Sequence, residues 1–158
     1  MRVGIGEDLH RVAEGGPLML GGVAIEGAVG LAGHSDADVL LHAITDAVLG
    51  AAGKGDLGAH FPSSDDRWAG ADSSLFLTEA LRMAREDGWV LANIDATVRA
   101  ERPRLAGHLA AIRESVARIV GVDASKVNVK AKSGEGLDAV GRGEAIGATA
   151  VALLEAAP

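Results

Sequence analysis

The chain has 158 residues and a mass of 16.0 kDa, which fits one ordinary domain spanning residues 1–158. Lys and Arg number 15 against 22 Asp and Glu, so the net charge is −7 and the pI is near 5.1. That sign excludes a general nucleic-acid binder or a basic membrane-surface protein. No cysteine is present, so disulfide frameworks, thiolate metal sites and cysteine nucleophiles are excluded and any metal must sit on histidines and carboxylates.

Apolar residues make up 48% and charged residues 23%, with a mean hydropathy of +0.21, the profile of a folded chain. So small a charged shell points to apolar surface that an oligomer covers. No segment has the length of a membrane helix or the apolar stretch of a signal peptide, and a cytoplasmic location is expected.

Met1 to about Asp8 reads as an opening strand. Leu18–Leu20 and Val23–Ile25 flank Gly21-Gly22, a hairpin signal. A helix follows His34-Ser35-Asp36, capped by Ser35 or Asp36 and carrying Leu40, Leu41, Ile44, Val48 and Leu49 on an apolar face. Asp56 to Asp66 forms a long polar loop, of the kind that carries function. A second helix runs from Asp72 or Ser73 to Glu86. A strand through Ile94, Ala96 and Val98 comes next, then a third helix from roughly Arg104 to Val120. Val127, Val129 and Ala131 alternate as another strand. Periodicity leaves Ala145–Leu154 open between strand and buried helix, and Ile146, Thr149 and Val151 tip it towards strand. The order predicts an α+β fold, a mixed β-sheet with helices packed on one face in a single domain.

Three of the five histidines lie in the first 42 residues, each near a carboxylate. Asp8 and His10 are two apart in a strand and point to the same side. His42 sits on the first helix with Asp38 and Asp46 four residues away on either side. Either carboxylate can orient its ring from a second shell. Asp8, His10 and His42 would make a three-ligand zinc site with an open fourth position. On spacing alone, a solvated or hydrogen-bonded polar patch is the commoner outcome for two histidines among aspartates. Gly4 and Gly6 do not form a dinucleotide fingerprint, since Leu9 stands at the third position and no helix follows.

Taken in order, several stretches resemble the 2-C-methyl-D-erythritol 2,4-cyclodiphosphate synthase family of non-mevalonate isoprenoid biosynthesis. They are Gly4–Arg11, His34–Asp38, Leu41–Ala51, Gly55–Gly58, Phe61-Pro62, Lys126–Ala131 and Gly141–Glu144. The resemblance implies a lyase that releases CMP when the substrate's own 2-phosphate attacks the β-phosphorus, and a homotrimer with active sites at subunit interfaces. It implies Zn²⁺ on Asp8, His10 and His42, and a second divalent ion, Mg²⁺ or Mn²⁺, held through phosphates by Glu135. His34 and Ser133 would be the catalytic pair and Ser35 a phosphate contact. Asp56, Leu57 and Gly58 would meet the ribose side of the nucleotide, and Phe61 and Asp65 the substrate beyond it. Ala100, Pro103, Arg104, Leu105, Ala131 and Lys132 would form the cytidine pocket, with Arg142 near a cavity on the trimer axis. The implied partners are a nucleotide-diphosphate substrate and further copies of the chain, with neither nucleic acid nor membrane.

Three positions depart from the family pattern. Ser63 stands where Asp is common, Lys132 where Thr is usual, and Ala139 where a Phe commonly lines the axial cavity. An open zinc site also permits a zinc-dependent phosphoesterase, and a trimeric metal-binding module without catalysis is the remaining competitor.

Overall fold

The computed structural model describes residues 1–27 and 29–158. The opening strand, β1, spans Arg2–Ala13, five residues beyond its expected end. The extension follows from pairing, since every residue from Arg2 to Arg11 has a partner on the last strand, β7. That strand, Ala145–Ala156, settles the ambiguous C-terminal segment as extended. Three further strands complete the main sheet: β4 (Gly30–Leu31), β5 (Trp89–Arg99) and β6 (Val127–Lys132). Its order is β4-β1-β7-β5-β6, antiparallel throughout except for the parallel β5–β6 pair. The predicted Gly21-Gly22 hairpin forms from β2 (Leu18–Leu20) and β3 (Val23–Ile25). Both glycines have positive φ (62° and 75°), as such a turn requires.

Three longer helices pack on one face of this mixed sheet, as expected: α1 (Val39–Ala52), α3 (Ser74–Glu86) and α4 (Leu109–Val120). Between them, α2 is a single turn (Leu57–His60), and a 3-10 turn covers Asp66–Trp68. The polar loop is therefore locally ordered, with Asp56 capping α2 and Asp65 capping the 3-10 turn. A short turn, α5 (Asp138–Gly141), precedes β7. Helix α4 begins at Leu109, five residues later than the pattern suggests, because His108 N–H bonds Leu105 O and closes a separate turn around buried Leu105.

Helix α1 lies almost on the backbone of β1. A Cβ at Gly4 would stand 2.0 Å from Ala47 O, and one at Gly6 would stand 2.0 Å from Ala43 O. Ala43, Ala47 and Ala51 recur every fourth residue and supply the flat helix face that meets these glycines. The Gly-x-Gly stretch is thus a packing groove, and strand alternation puts Asp8 and His10 on the same helix-facing side.

On the opposite side, Val3, Ile5 and Leu9 stand 68%, 64% and 61% exposed, joined by Val151. A run of aliphatic side chains on a bare sheet face is a surface that needs covering. A hollow of about 330 Å³ lies on this face, lined among others by Glu7, Leu9, Arg99 and Val140.

Candidate active site

Strand β1 delivers Asp8 and His10 to one point, and the first turn of α1 delivers His42 to the same point. Asp8 Oδ2 lies 2.7 Å from His10 Nε2 and 2.9 Å from His42 Nδ1, and the two ring nitrogens are 3.3 Å apart. Zinc bonds to O and N near 2.0–2.1 Å would set tetrahedral edges of about 3.3 Å, so the three donors need only spread slightly to hold such an ion. His10 Nδ1 lies 2.6 Å from Ala32 O, and a carbonyl only accepts, so Nδ1 carries a proton; Nε2 donates to Asp8 without an ion and is the nitrogen that would turn a lone pair to a bound one. An anionic oxygen and neutral imidazoles suit a divalent ion, and the group passes as a metal site on donor chemistry and geometry.

Burial opposes ionisation of Asp8, but hydrogen bonds with His10 and His42 outweigh it and hold its carboxyl well below the usual range. The hydrogen bond with Asp8 raises the His10 pKa in turn, against the effect of burial. Beside the triad opens a cleft of about 310 Å³ lined by Asp8, His42, Asp46, Asp56, Leu57 and Gly58. The expected ribose-side residues therefore face the metal-ligating group across one cavity.

The proposed orienting carboxylates do other work. Asp38 is the α1 N-cap, with extended backbone, so its side chain leaves the helical stripe that would have placed it against His42. It accepts from Leu41 N at 3.0 Å, Gly21 N at 2.9 Å and Gly22 N at 2.7 Å, tying the hairpin to the helix. Asp46 accepts from Leu57 N at 2.7 Å and holds the start of α2. The His42 Nε2 instead meets Ser73 Oγ at 2.8 Å and Ser35 Oγ at 3.1 Å. Neither Ser35 nor Asp36 caps α1. His34 and Ser35 precede the helix by several residues, and the Asp38 carboxylate occupies its N-cap instead.

His34 Nε2 bonds the backbone carbonyl of Asp65 at 3.1 Å, which links it to the 56–66 segment. The Asp65 carboxylate is occupied by Arg67 at 2.5 Å. Phe61 stacks on Phe76 with centroids 4.7 Å apart, and Trp68 meets Phe61 edge-on. The aromatic cluster anchors this segment against α3 next to His42.

A second group gathers at the far ends of β5 and β6. Ala100 N donates to Lys132 O, which sets Ala100 beside Lys132 and one position beyond the Arg99–Lys132 pair; Pro103, Arg104 and Leu105 follow Ala100 in the chain. Ser133 Oγ donates to Glu135 Oε1 at 2.7 Å, and Glu135 has a positive φ of 51°. Register places Asp8 opposite Ala148, Ala148 opposite Val98 and Val98 opposite Ala131. Three strand spacings, roughly 14 Å, therefore separate the backbone at Asp8 from that at Ala131 within one chain. Arg142 pairs with Glu144 at 2.9 Å, on the exposed side.

The YgbB family model matches residues 1–155. A curated relative from Desulfosudis oleivorans, named 2-C-methyl-D-erythritol 2,4-cyclodiphosphate synthase, is 57% identical over 154 residues, covering 98% of this chain and 92% of its own. The chain belongs to the YgbB family.

Solved structures agree with that assignment. A 2C-methyl-D-erythritol-2,4-cyclodiphosphate synthase in a CDP-bound form superposes with a TM-score of 0.90 at 40% identity, over 98% of this chain and 100% of that one. The bifunctional IspDF from Campylobacter jejuni gives a TM-score of 0.95 at 39% identity, and this YgbB chain spans 42% of that longer protein. Neither Ser73 nor Asp36 stood out in the sequence as a site residue. The nearest signals were Ser73 as a possible start of the second helix and Asp36 as a possible cap of the first, and neither says anything of a distant ring.

Proposed function

We infer that this chain is a cyclodiphosphate synthase, converting 4-diphosphocytidyl-2-C-methyl-D-erythritol 2-phosphate into 2-C-methyl-D-erythritol 2,4-cyclodiphosphate and CMP. The observation that carries the reading is the meeting of Asp8, His10 and His42 beside an open cleft, in a YgbB chain whose relatives bear that enzyme's name. In the reaction an oxygen of the 2-phosphate bonds to the β-phosphorus, the β-phosphorus–oxygen bond to the α-phosphate breaks, and CMP leaves with that oxygen. No water and no protein nucleophile enters, so the chain's tasks are positioning and charge neutralisation.

Asp8, His10 and His42 would hold the zinc ion, which supplies Lewis acidity to a phosphate oxygen when bound. Glu135 would hold the second ion, Mg²⁺ or Mn²⁺, through the diphosphate, and its bond to Ser133 keeps both groups on one turn. His34 would contact the phosphates with Ser35 beside it, and Ser133 would steady the transition state from the other group. Asp56 and Gly58 grip the ribose, and the Ala100–Leu105 turn with Ala131 and Lys132 takes cytosine.

The chain works as a homotrimer in the cytoplasm. Two features support the assembly. The bare apolar face of β1 and β7 needs a partner, and the two groups of site residues stand too far apart in one chain to serve one diphosphate. A second copy supplies the missing half. The hollow on this face carries Glu7 and Arg99, with Arg99 bonded to Asp138 at 2.7 Å.

The test is to supply the diphosphocytidyl substrate in oxygen-18 water and follow CMP release. Stoichiometric CMP and an unlabelled cyclic product are expected, with CMP release lost in folded His42→Ala. A linear product carrying the label would replace this reading with a phosphoesterase.

A further inference from the structure

Each metal-facing imidazole must offer a bare nitrogen to the ion and keep its proton on the other nitrogen. The backbone settles this for His10 through Ala32 O. Among the described residues, no carbonyl bonds the His42 ring. Its Nε2 faces the hydroxyls of Ser73 and Ser35, and a hydroxyl donates and accepts alike, so neither chooses a tautomer unaided.

Asp36 removes the ambiguity. One carboxylate oxygen, Oδ1, accepts the Ser73 hydroxyl hydrogen, and the other accepts Ser73 backbone N–H at 3.2 Å. With its only hydrogen committed to a carboxylate, Ser73 Oγ can meet His42 Nε2 only as an acceptor. We propose that Ser73, oriented by Asp36, is the positioning residue that keeps the His42 proton on Nε2 and turns Nδ1, bare, towards the metal site.

Two independent features fit this assignment. Ser73 occupies the N-cap of α3 and is fully buried, yet its side chain makes no capping hydrogen bond. A serine in that place ordinarily caps the first turn, whereas this one is turned to the ring. Asp36 is aimed by Ala37, whose φ of 58° belongs to the left-handed region that alanine avoids. Asp38 N donates to Asp36 Oδ1 at 3.1 Å and completes the bend. Without an ion, Asp8 competes by accepting a proton from Nδ1 at 2.9 Å, so the serine matters most in the loaded state.

The proposal rests on the metal reading of the triad, and zinc uptake without substrate tests it directly. Metal-stripped wild type, Ser73→Ala, Asp36→Asn and Ser35→Ala are titrated with Zn²⁺ against a chromophoric chelator. The zinc-loaded wild type and Ser73→Ala are compared by nitrogen-15 NMR for a slowly exchanging His42 Nε2–H. Loss of this outer contact should weaken zinc binding about 10- to 100-fold in Ser73→Ala and less in Asp36→Asn, with Ser35→Ala within about 3-fold of wild type. The Nε2–H should exchange faster in Ser73→Ala. Wild-type affinity in a folded Ser73→Ala protein would overturn the proposal. If Ser73→Ala does not fold, wild-type affinity in Asp36→Asn overturns it in the same way. A wild type that takes up no zinc would instead overturn the metal reading beneath it.

Discussion

A carboxylate four residues from a histidine can serve three different ends, and Asp38 and Asp46 show why spacing does not choose among them. Asp38 stands at a helix cap, where three backbone N–H groups converge on it, and burial pushes its pKa up. Asp46 lies inside the helix, but Leu57 N claims it first. Burial raises the Asp46 pKa above 3.8, with Asp56 and Asp8 adding to the rise. The folded state therefore favours the protonated acid more than the unfolded chain does, and ionisation at Asp46 costs stability as pH climbs past the folded value. Asparagine keeps an acceptor for Leu57 N and cannot ionise. In chelator, the stability of Asp46→Asn relative to wild type should rise as pH climbs above about 4, read from urea midpoints. Parallel pH profiles would show that Asp46 does not titrate in this way.

The contact between β1 and α1 governs the site at the scale of elements, since each carries part of the triad. Gly4 and Gly6 let the helix settle on the strand, and the same approach brings His42 within bonding distance of Asp8. Gly6→Ala puts a methyl 2.0 Å from Ala43 O and 2.6 Å from Ala47 N, backbone atoms of a helix that cannot step aside singly. The variant should lose about 2 kcal/mol or more of stability, measured by urea unfolding without metal. Zinc affinity should fall with it, because lifting α1 separates His42 from β1. A Gly6→Ala protein with unchanged stability and affinity would mean that the helix does not bear on the strand as described.

The two half-sites and the uncovered sheet face decide the prediction for the whole molecule. His42→Ala damages the metal group and Glu135→Ala the other, so each alone should be inactive. If every site joins one group from each of two copies, refolding the variants together should restore about a quarter of wild-type activity, since random pairing makes one site in four intact. Sedimentation of the wild type should give three copies. No recovery on co-refolding, with both variants folded, would place a whole site within each chain.

Much of this protein was legible before any coordinates. Alternation on β5 and β6, the Gly21-Gly22 turn and the apolar face of α1 identified their elements because each is a local pattern with a local cause. The family motifs carried the rest of the expected site. The reading stumbled where partners compete. Asp38 and Asp46 looked like supports for His42 because a sequence gives distance along the chain and not which hydrogen-bond donor arrives first. The link of Ser73 and Asp36 to His42 was not legible because they come together with it only after α3 docks against α1 and the chain bends at Ala37. Sequence determined which donors were available and on which faces of their own elements they stood. Packing between elements determined which donors met, because hydrogen-bonding partners distant in sequence are selected by the fold as a whole.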